Sequence, residues 1–386
     1  MVNKKLLEMF FLFIACCIPV VFVGGILLLF LSLSGKVTFY LPFTIALLIV
    51  ICFFICNAIF KFLKPNITKK LAVILFSIFA MAFIVHFTID AYHNSLDSLE
   101  DAEVDLFEYQ PFYSSKLATL EEATLTLKDD LPVLDGATAL YPVYAAFVQA
   151  TYPEKEYDVY NSEVMGNTTP EAYNNLIEGK VDIIFAAGPS ESQLNDAKRK
   201  GVELELTPIG REAFVFFVNK DNPIDGLTTE QIQKIYSGEI TNWKEVGGKN
   251  DKIKAFQRPA DSGSQTALEK FMGDIPIMEA PTEDVVAGMG GIIEQTANYR
   301  NYKNAIGYSF RFFSMDMVEN DSIKHLQIDG VYPTKETIRT NEYPLASEFY
   351  AITAGSDNPN AEKFIEWILS EQGQYLIEKS GYVPIH

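Results

Sequence analysis

The chain has 386 residues, a formal net charge of −19 at pH 7 and 48% apolar residues. Nearly all its acidic residues follow residue 90, which argues against nucleic acid or an anionic membrane surface as the partner of that part. All four cysteines lie before residue 60, and the three histidines beyond residue 90 lack metal-ligand spacing. We therefore expect no metal, no cofactor, no disulfide and no enzyme activity.

Residues 1–90 form a predicted membrane domain. Three apolar runs, at about 6–33, 39–60 and 71–89, are each near or above the roughly 20 residues that a membrane-spanning helix needs. Lysines precede the first run and fill the loop after the second, at Lys4, Lys5, Lys61, Lys64, Lys69 and Lys70. The positive-inside rule then predicts a multi-pass protein of the cell membrane, with a cytoplasmic N-terminus and an extracytoplasmic chain after about residue 90.

The first apolar run has two alternative interpretations. A cleaved signal peptide has an apolar core of only about 7–15 residues, which is much shorter than this run. Phe13-Ile-Ala-Cys16 is weakly similar to a lipoprotein cleavage site, but the apolar run continues well beyond Cys16. An uncleaved anchor is favoured.

Residues 91–130 are rich in Asp and Glu and are predicted to form a solvated extracytoplasmic stalk. A globular domain then follows at 131–386, where strands alternate with helices. The first strand spans 131–134 and feeds a helix from Thr138; another helix begins at Thr169 and precedes a buried strand at 181–187. This alternation predicts an α/β fold with a largely parallel sheet.

The alternation continues to the C-terminus. We expect strands at 213–218, 253–256, 305–310 and 349–353, and helices at 229–238, after Ser262, at 285–298 and at 361–379. Ligands of such folds bind where strands feed loops and helix starts. The helix starts at Thr138, Thr168 or Thr169, and Ser262 are therefore candidate anion sites.

The segment Arg258-Pro-Ala-Asp-Ser-Gly-Ser-Gln265 holds the strongest candidate site. Ser262 and Gln265 have the spacing of a capping box, in which the Ser hydroxyl and the Gln side chain satisfy helix-start N–H groups. Free N–H groups, two hydroxyls, Gly263 and the Arg258 guanidinium together form a set of anion donors. For Ser-x-x-Gln alone, an ordinary capped surface helix remains the alternative.

Several phrases together resemble the phosphate-binding proteins of bacterial ABC transporters, which belong to the periplasmic-binding-protein-like superfamily. They are Asp135-Gly-Ala-Thr-Ala-Leu-Tyr-Pro142, Gly210 to Asn219 with Asp221-Asn-Pro223, Ile235-Tyr-Ser-Gly-Glu-Ile-Thr-Asn-Trp243, Arg258 to Ser264, Ile306-Gly-Tyr308 and Tyr343-Pro-Leu345. The resemblance implies a type II fold of two α/β lobes that close on a tetrahedral oxyanion. Lobe 1 would comprise about 131–212 and 336–386, and lobe 2 about 213–335.

The resemblance also implies the site residues. Those that match the family's anion-binding positions are Ala137, Thr138, Ala139, Thr168 or Thr169, Arg258, Ser262, Gly263 and Ser264. One position departs from the family, because Gly188 stands at about the position where other members have a carboxylate that accepts a hydrogen bond from protonated phosphate and so rejects sulfate. Asp135, Glu191 and Asp261 remain open as substitutes.

Two functions are compatible with this sequence. The first is membrane-anchored, extracytoplasmic binding of inorganic phosphate or a related oxyanion, delivered to ABC permease subunits. The second is a receptor that signals through its three membrane helices, where Pro19, Gly24, Gly25 and His86 would be the residues of interest. Effects of deletion on phosphate uptake and on gene expression would distinguish the two functions.

Overall fold

The computed structural model describes residues 4–33, 37–96, 98–99, 104–279, 285–287, 292–294, 299–318 and 321–385. The chain divides into two compact units. The first contains Met1–Leu96 and Thr282–Ala297, and the second contains Asp97–Pro281 and Asn298–His386. Below they are called the membrane unit and the binding unit.

The described helices and strands are numbered in chain order. The helices are α1 (Lys4–Leu33), α2 (Val37–Phe60), α3 (Pro65–Asn94), α4 (Tyr141–Thr151), α5 (Thr168–Ile177), α6 (Glu191–Lys200), α7 (Thr229–Ser237), α8 (Gly263–Met272), α9 (Lys335–Arg339), α10 (Ala361–Ile368) and α11 (Glu371–Lys379). The strands are β1 (Ser98–Leu99), β2 (Leu134–Gly136), β3 (Ile183–Ala186), β4 (Glu205–Asn219), β5 (Gly226–Leu227), β6 (Lys254–Ala255), β7 (Val285–Ala287), β8 (Ile292–Glu294), β9 (Tyr299–Arg300), β10 (Ala305–Phe310), β11 (Ile323–His325), β12 (Gln327–Ile328), β13 (Ala346–Thr353) and β14 (Val383–Pro384).

The membrane unit contains the three predicted apolar helices. Their stretches Lys4–Leu28, Phe39–Phe60 and Pro65–Tyr92 are each long and apolar enough to cross a membrane. In the same unit, β7 pairs with β8 in an antiparallel hairpin. The prediction of a helix over 285–298 is therefore wrong for the described residues of that stretch.

Two of the residues of interest in the membrane helices have packing partners. A Cβ added at Gly24 would overlap the side chain of Leu48, so this glycine allows α1 and α2 to approach closely. The ring of His86 on α3 stacks on Phe39 of α2, with 3.8 Å between the ring centroids. These contacts account for Gly24 and His86 as packing residues.

The binding unit is built on one mixed sheet of eight strands. The strand order is β2-β3-β13-β4-β10-β6, with β11 and β14 also paired to β4. β2 and β3 are parallel, as are β6 and β10, but β13 is antiparallel to both β3 and β4. The prediction of a largely parallel sheet is wrong, because β13 returns late in the chain and inserts between two earlier strands.

One strand runs through both halves of the binding unit. The first part of β4, Glu205–Ala213, pairs with β13, and its second part, Phe214–Val218, pairs with β10. Buried side chains form separate cores on the two sides. One core contains Phe147, Phe185, Phe349 and Trp367, whereas the other contains Phe216, Tyr236, Trp243 and Tyr308. Below, the halves around these cores are called lobe 1 and lobe 2.

The predicted boundary between the lobes differs from the observed one near residues 336–345. Ile338 and Tyr343 fall in the segment predicted for lobe 1, yet both are buried in the core of lobe 2. The hydroxyl of Tyr343 donates a hydrogen bond to the carbonyl oxygen of Phe214, over 3.1 Å. This contact keeps residues 336–345 on the lobe 2 side of β13.

The second half of the predicted stalk packs on lobe 1. Leu106, Leu117 and Leu127 are all less than 10% exposed and belong to the lobe 1 core. Gln110 also donates from Nε2 to the carbonyl oxygen of Tyr157, over 2.7 Å. Burial of these leucines, which outweighs the acidic character of the segment, makes residues 104–130 part of lobe 1.

Candidate functional site

The start of α8 supplies the lobe 2 wall of the site. Ser262 caps the helix, and its hydroxyl accepts a hydrogen bond from the N–H of Gln265 over 3.3 Å. The Gln265 side chain does not complete the predicted capping box; its Oε1 instead accepts from the N–H of Arg258, over 3.1 Å, and from the Tyr308 hydroxyl. The loop from 258 to 262 is therefore fixed by β10, which carries Tyr308.

Two segments after β2 and before α5 supply the lobe 1 wall. The fully buried Asp135 carboxylate accepts from the N–H groups of Gly136 and Asn167, over 2.8 and 2.9 Å. It also accepts from the side-chain amides of Asn167 and Asn175, over 3.2 and 2.9 Å. The three bonds from Asn167 and Asn175 tie the end of β2 to α5 and to the residue before it. The structure begins α5 at Thr168 rather than Thr169.

These walls enclose a cavity of about 70 Å³ between the lobes. It is lined by eight of the nine predicted site residues, namely Ala137, Thr138, Ala139, Thr168, Thr169, Ser262, Gly263 and Ser264. A water molecule occupies about 30 Å³ of liquid and a drug-sized ligand needs roughly 300 Å³ or more. The cavity therefore suits an ion of a few heavy atoms.

Arg258 is the predicted site residue that does not line this cavity. It is half-buried, and its backbone N–H also contacts the Tyr308 hydroxyl over 2.9 Å. The positive charge of Arg258 opposes the effect of burial on Tyr308, although burial prevails and raises the pKa of that hydroxyl. The structure thus places Arg258 beside the site but not in its wall.

Several lining residues are ones that the sequence did not single out. They come from β4, β13, β10 with the segment after it, and the C-terminus: Glu212, Ser309, Phe310, Phe313, Ser347, Glu348, Phe349 and Tyr382. Of these, Glu212 carries a recognisable signal, since it is a carboxylate next to the apolar run of β4. It is 5% exposed, and burial raises its pKa to about 7.

The three carboxylates considered as substitutes for the one missing at Gly188 do not line the cavity. Asp135 is held by backbone and amide donors, and Asp261 Oδ1 accepts from the hydroxyl of Ser190 over 2.6 Å. Glu191 lies exposed in the first turn of α6. At Gly188 itself, the carbonyl oxygen accepts from Lys270 Nζ over 3.3 Å.

Contacts across the cleft show that the lobes are closed on each other. Ser190 lies in lobe 1 and Asp261 in lobe 2, so their hydrogen bond joins the lobes. A Cβ added to Gly263 would lie 3.3 Å from the Thr169 hydroxyl oxygen. Among the described residues, no group of three or more His, Cys, Asp or Glu side chains is placed to hold a metal ion.

A family model describes this part of the chain. The model for the PBP (periplasmic-binding-protein) superfamily domain matches residues 131–372. The chain belongs to this superfamily. The match spans most of lobe 1 and nearly all of lobe 2, and it confirms the predicted α/β fold class and the resemblance to this superfamily. The membrane helices and residues up to 130 lie outside it.

Similar proteins carry names that specify a ligand. The phosphate-binding protein PstS of Bacillus subtilis is 29% identical over 258 residues, covering 65% of this chain and 80% of that protein. The phosphate-binding protein PstS of Staphylococcus saprophyticus is 26% identical over 261 residues, covering 65% and 79%. A solved ABC-type phosphate transport receptor from Vibrio cholerae is 21% identical, with a TM-score of 0.45, covering 65% of this chain and 98% of the receptor.

Proposed function

We propose that this protein is a membrane-anchored receptor that binds inorganic phosphate, or a closely related tetrahedral oxyanion, and delivers it to an ABC transporter permease. The observation that carries the proposal is the small closed cavity whose wall combines the starts of α5 and α8 with hydroxyls from both lobes. The relatives named as phosphate-binding proteins support the same ligand. On this proposal the chain is a binding protein and not an enzyme.

The cavity would hold the anion by hydrogen bonds from neutral groups. N–H groups at a helix start point towards a ligand there, and the helix dipole favours negative charge. Hydroxyls of Thr138, Thr169, Ser262 and Ser264 add donors without adding charge. Arg258, fixed beside α8 by Tyr308, would supply the positive charge that balances the anion.

The membrane unit would serve as the anchor. Its three helices have the length of membrane spans, and the lysines at their ends support a cytoplasmic N-terminus by the positive-inside rule. The binding unit would then lie outside the cytoplasm, where it captures the anion and meets the permease. Closure of the lobes would exclude water from the bound anion.

Calorimetric titration of the full chain in detergent with inorganic phosphate tests this proposal. We expect saturable binding to the wild-type chain and a loss of at least about tenfold in affinity for Arg258→Ala, because the substitution removes a positive charge beside the bound anion; a tenfold loss corresponds to about 1.4 kcal/mol. Arg199→Ala is the matched control, because Arg199 is exposed on α6, away from the cavity. No binding of phosphate by the wild-type chain would refute the function, whereas full affinity in Arg258→Ala would refute only the role of Arg258.

A further inference from the structure

Glu212 is a buried carboxyl in the wall of the anion cavity. It lies on β4, at the point where this strand passes from lobe 1 to lobe 2, and directly opposite Ser347 of β13. Only 5% of its surface is exposed. A carboxylate in this position is unexpected, because an ionised carboxylate repels an oxyanion bound against it, most strongly where water is excluded.

The surroundings of Glu212 stabilise both of its protonation states. Its Oε1 accepts from the N–H of Ala213 over 2.8 Å, and its Oε2 accepts from the N–H of Phe312 over 3.3 Å. These two bonds favour the ionised form, but burial opposes them and is the larger effect on the pKa. Each carboxylate oxygen can accept a further bond, so either can also contact a ligand.

Four other titratable groups lie near this carboxyl. Arg311 and Asp316 face it from the segment after β10 and form an ion pair with each other over 2.9 Å, which reduces the net charge that they present. Glu348 of β13 lines the same cavity, and Tyr382 packs beside Glu212 from the C-terminus. The positive charge of Arg311 is thus largely committed to Asp316, and Glu212 keeps a raised pKa of about 7.

We propose that Glu212 determines which oxyanions this site accepts, because one proton is shared between its carboxyl and an oxygen of the bound anion. This inference rests on the proposed function. A hydrogen phosphate ion brings that proton and donates it to the ionised carboxylate. Sulfate carries no proton at neutral pH, so it can bind only when Glu212 is itself protonated and donates to a sulfate oxygen.

The two ligands therefore differ in pH dependence. Above about pH 7 Glu212 is ionised in the empty site, and sulfate must take up one proton from water as it binds. Its affinity should fall about tenfold for each further pH unit. Hydrogen phosphate needs no such uptake in this range, and its preference over sulfate should grow with pH.

The test compares phosphate and sulfate titrations of the full-length wild-type, Glu212→Gln and Glu205→Gln chains at pH 6, 7 and 8. Glutamine has the shape of glutamate but no charge, so we expect Glu212→Gln to bind sulfate at least about tenfold more tightly than wild type at pH 8, with no dependence on pH. Glu205, exposed at the start of the same strand, is the control and should keep the wild-type preference.

A second measurement needs no substitution. Calorimetry in two buffers of different ionisation enthalpy counts the protons taken up by the wild-type chain, and we expect about one for sulfate at pH 8 and none for phosphate. The inference would be overturned if a folded Glu212→Gln chain kept the wild-type preference for phosphate over sulfate and its pH profile. Binding of sulfate to the wild-type chain without proton uptake would also overturn it. Either result would leave phosphate binding intact. A wild-type chain that binds no phosphate would overturn the proposed function and this inference with it.

Discussion

Asp135 shows how a buried charge can be structural even beside an anion site. Its carboxylate is fully buried, and four N–H donors from Gly136, Asn167 and Asn175 surround it. These four bonds occupy most of the acceptor positions of the carboxylate and leave little capacity for a ligand. Asp135 therefore positions the cavity wall, whereas Glu212, with two backbone donors, keeps room for another partner.

His325 gives the binding unit a stability that depends on pH. Burial, with help from Arg311, lowers its pKa to about 4, and its ring bonds the Ser314 hydroxyl over 2.9 Å. The unfolded chain, with a His pKa near 6.5, binds a proton first as the pH falls. Folding stability from this residue is therefore complete above about pH 6.5 and is lost towards pH 4, by up to about 3 kcal/mol.

Substitution of His325 by Gln should remove this dependence. We expect the wild-type chain to lose about 2–3 kcal/mol more stability than His325→Gln between pH 7 and pH 4.5. Urea unfolding followed by tryptophan fluorescence measures it, because Trp243 and Trp367 both lie in the binding unit. The raised pKa of Glu212 changes the folding stability in the opposite direction over a similar pH range. Because Glu212 is present in both chains, its contribution cancels in the comparison. Parallel pH profiles would contradict the prediction.

At the scale of elements, the start of α8 depends on the absence of a side chain at Gly263. This residue lines the cavity from lobe 2 and faces the Thr169 hydroxyl of lobe 1 across the cleft. A Cβ there would lie 3.3 Å from that oxygen, which is closer than most carbon contacts, and 3.5 Å from the Phe310 ring. The glycine therefore allows both closure of the cleft and access of the ligand to the N–H groups of the helix.

Gly263→Ala should weaken phosphate binding without unfolding the chain. Overpacking of this kind costs about 1–3 kcal/mol, equivalent to roughly tenfold or more in affinity. The helix itself should tolerate alanine, which is a better helix former than glycine. Calorimetric titration of both variants with phosphate measures the effect. Gly25→Ala is the control, because a Cβ added at Gly25 would meet nothing within 4 Å. Equal affinity in the two variants would show that the approach at Gly263 is unimportant.

Elements that depend on local signals could be predicted from the sequence, and those that depend on distant partners could not. The helix start after Ser262 follows from its capping serine. Gln265, however, contacts Tyr308, and no local pattern indicates a partner 43 residues away. In the same way, the insertion of β13 between β3 and β4 sets the strand directions, but the strand's own sequence gives no sign of it.

At the scale of the whole molecule, a small set of polar contacts holds the lobes together. Ser190 and Gln193 form the capping box of α6 in lobe 1, and both also reach Asp261 of lobe 2. The Ser190 hydroxyl donates to the Asp261 carboxylate over 2.6 Å, and Gln193 Nε2 donates to its backbone carbonyl over 3.2 Å. Asp261 has a φ of +62°, a conformation that glycine adopts at least as readily.

Asp261→Gly should therefore favour the open state. It removes the carboxylate and keeps the backbone conformation, so we expect phosphate to dissociate faster, with about tenfold weaker binding. Asp329→Gly is the matched control, since Asp329 also has a positive φ, of +52°, but its carboxylate accepts from Thr229 within lobe 2. Stopped-flow dissociation distinguishes them; an unchanged rate for Asp261→Gly would exclude a role for this contact in closure.

The cavity itself illustrates what sequence patterns could not provide at this scale. Its helix starts were predicted because each has a local motif. The lining residues Glu212, Ser347 and Tyr382 come from three separate parts of the chain and meet only when β4, β13 and the C-terminus assemble. The acidic segment before residue 131 was likewise predicted to be solvated, because the lobe 1 surface that buries its leucines forms only in the folded protein.

Because the chain leaves lobe 1 along β4 and returns to it only with β13, the order of synthesis limits when each lobe can be completed. The lobe 2 core comes almost entirely from one continuous stretch, about residues 213–346, with Val383 added at the end. The lobe 1 core begins earlier in the chain, yet it needs Phe349, Phe364 and Trp367 from near the C-terminus. Domains generally fold as their residues emerge. Lobe 1 begins first but cannot complete its core until its C-terminal residues have been synthesised, which happens after the lobe 2 stretch. Its apolar surface therefore stays exposed during the synthesis of lobe 2.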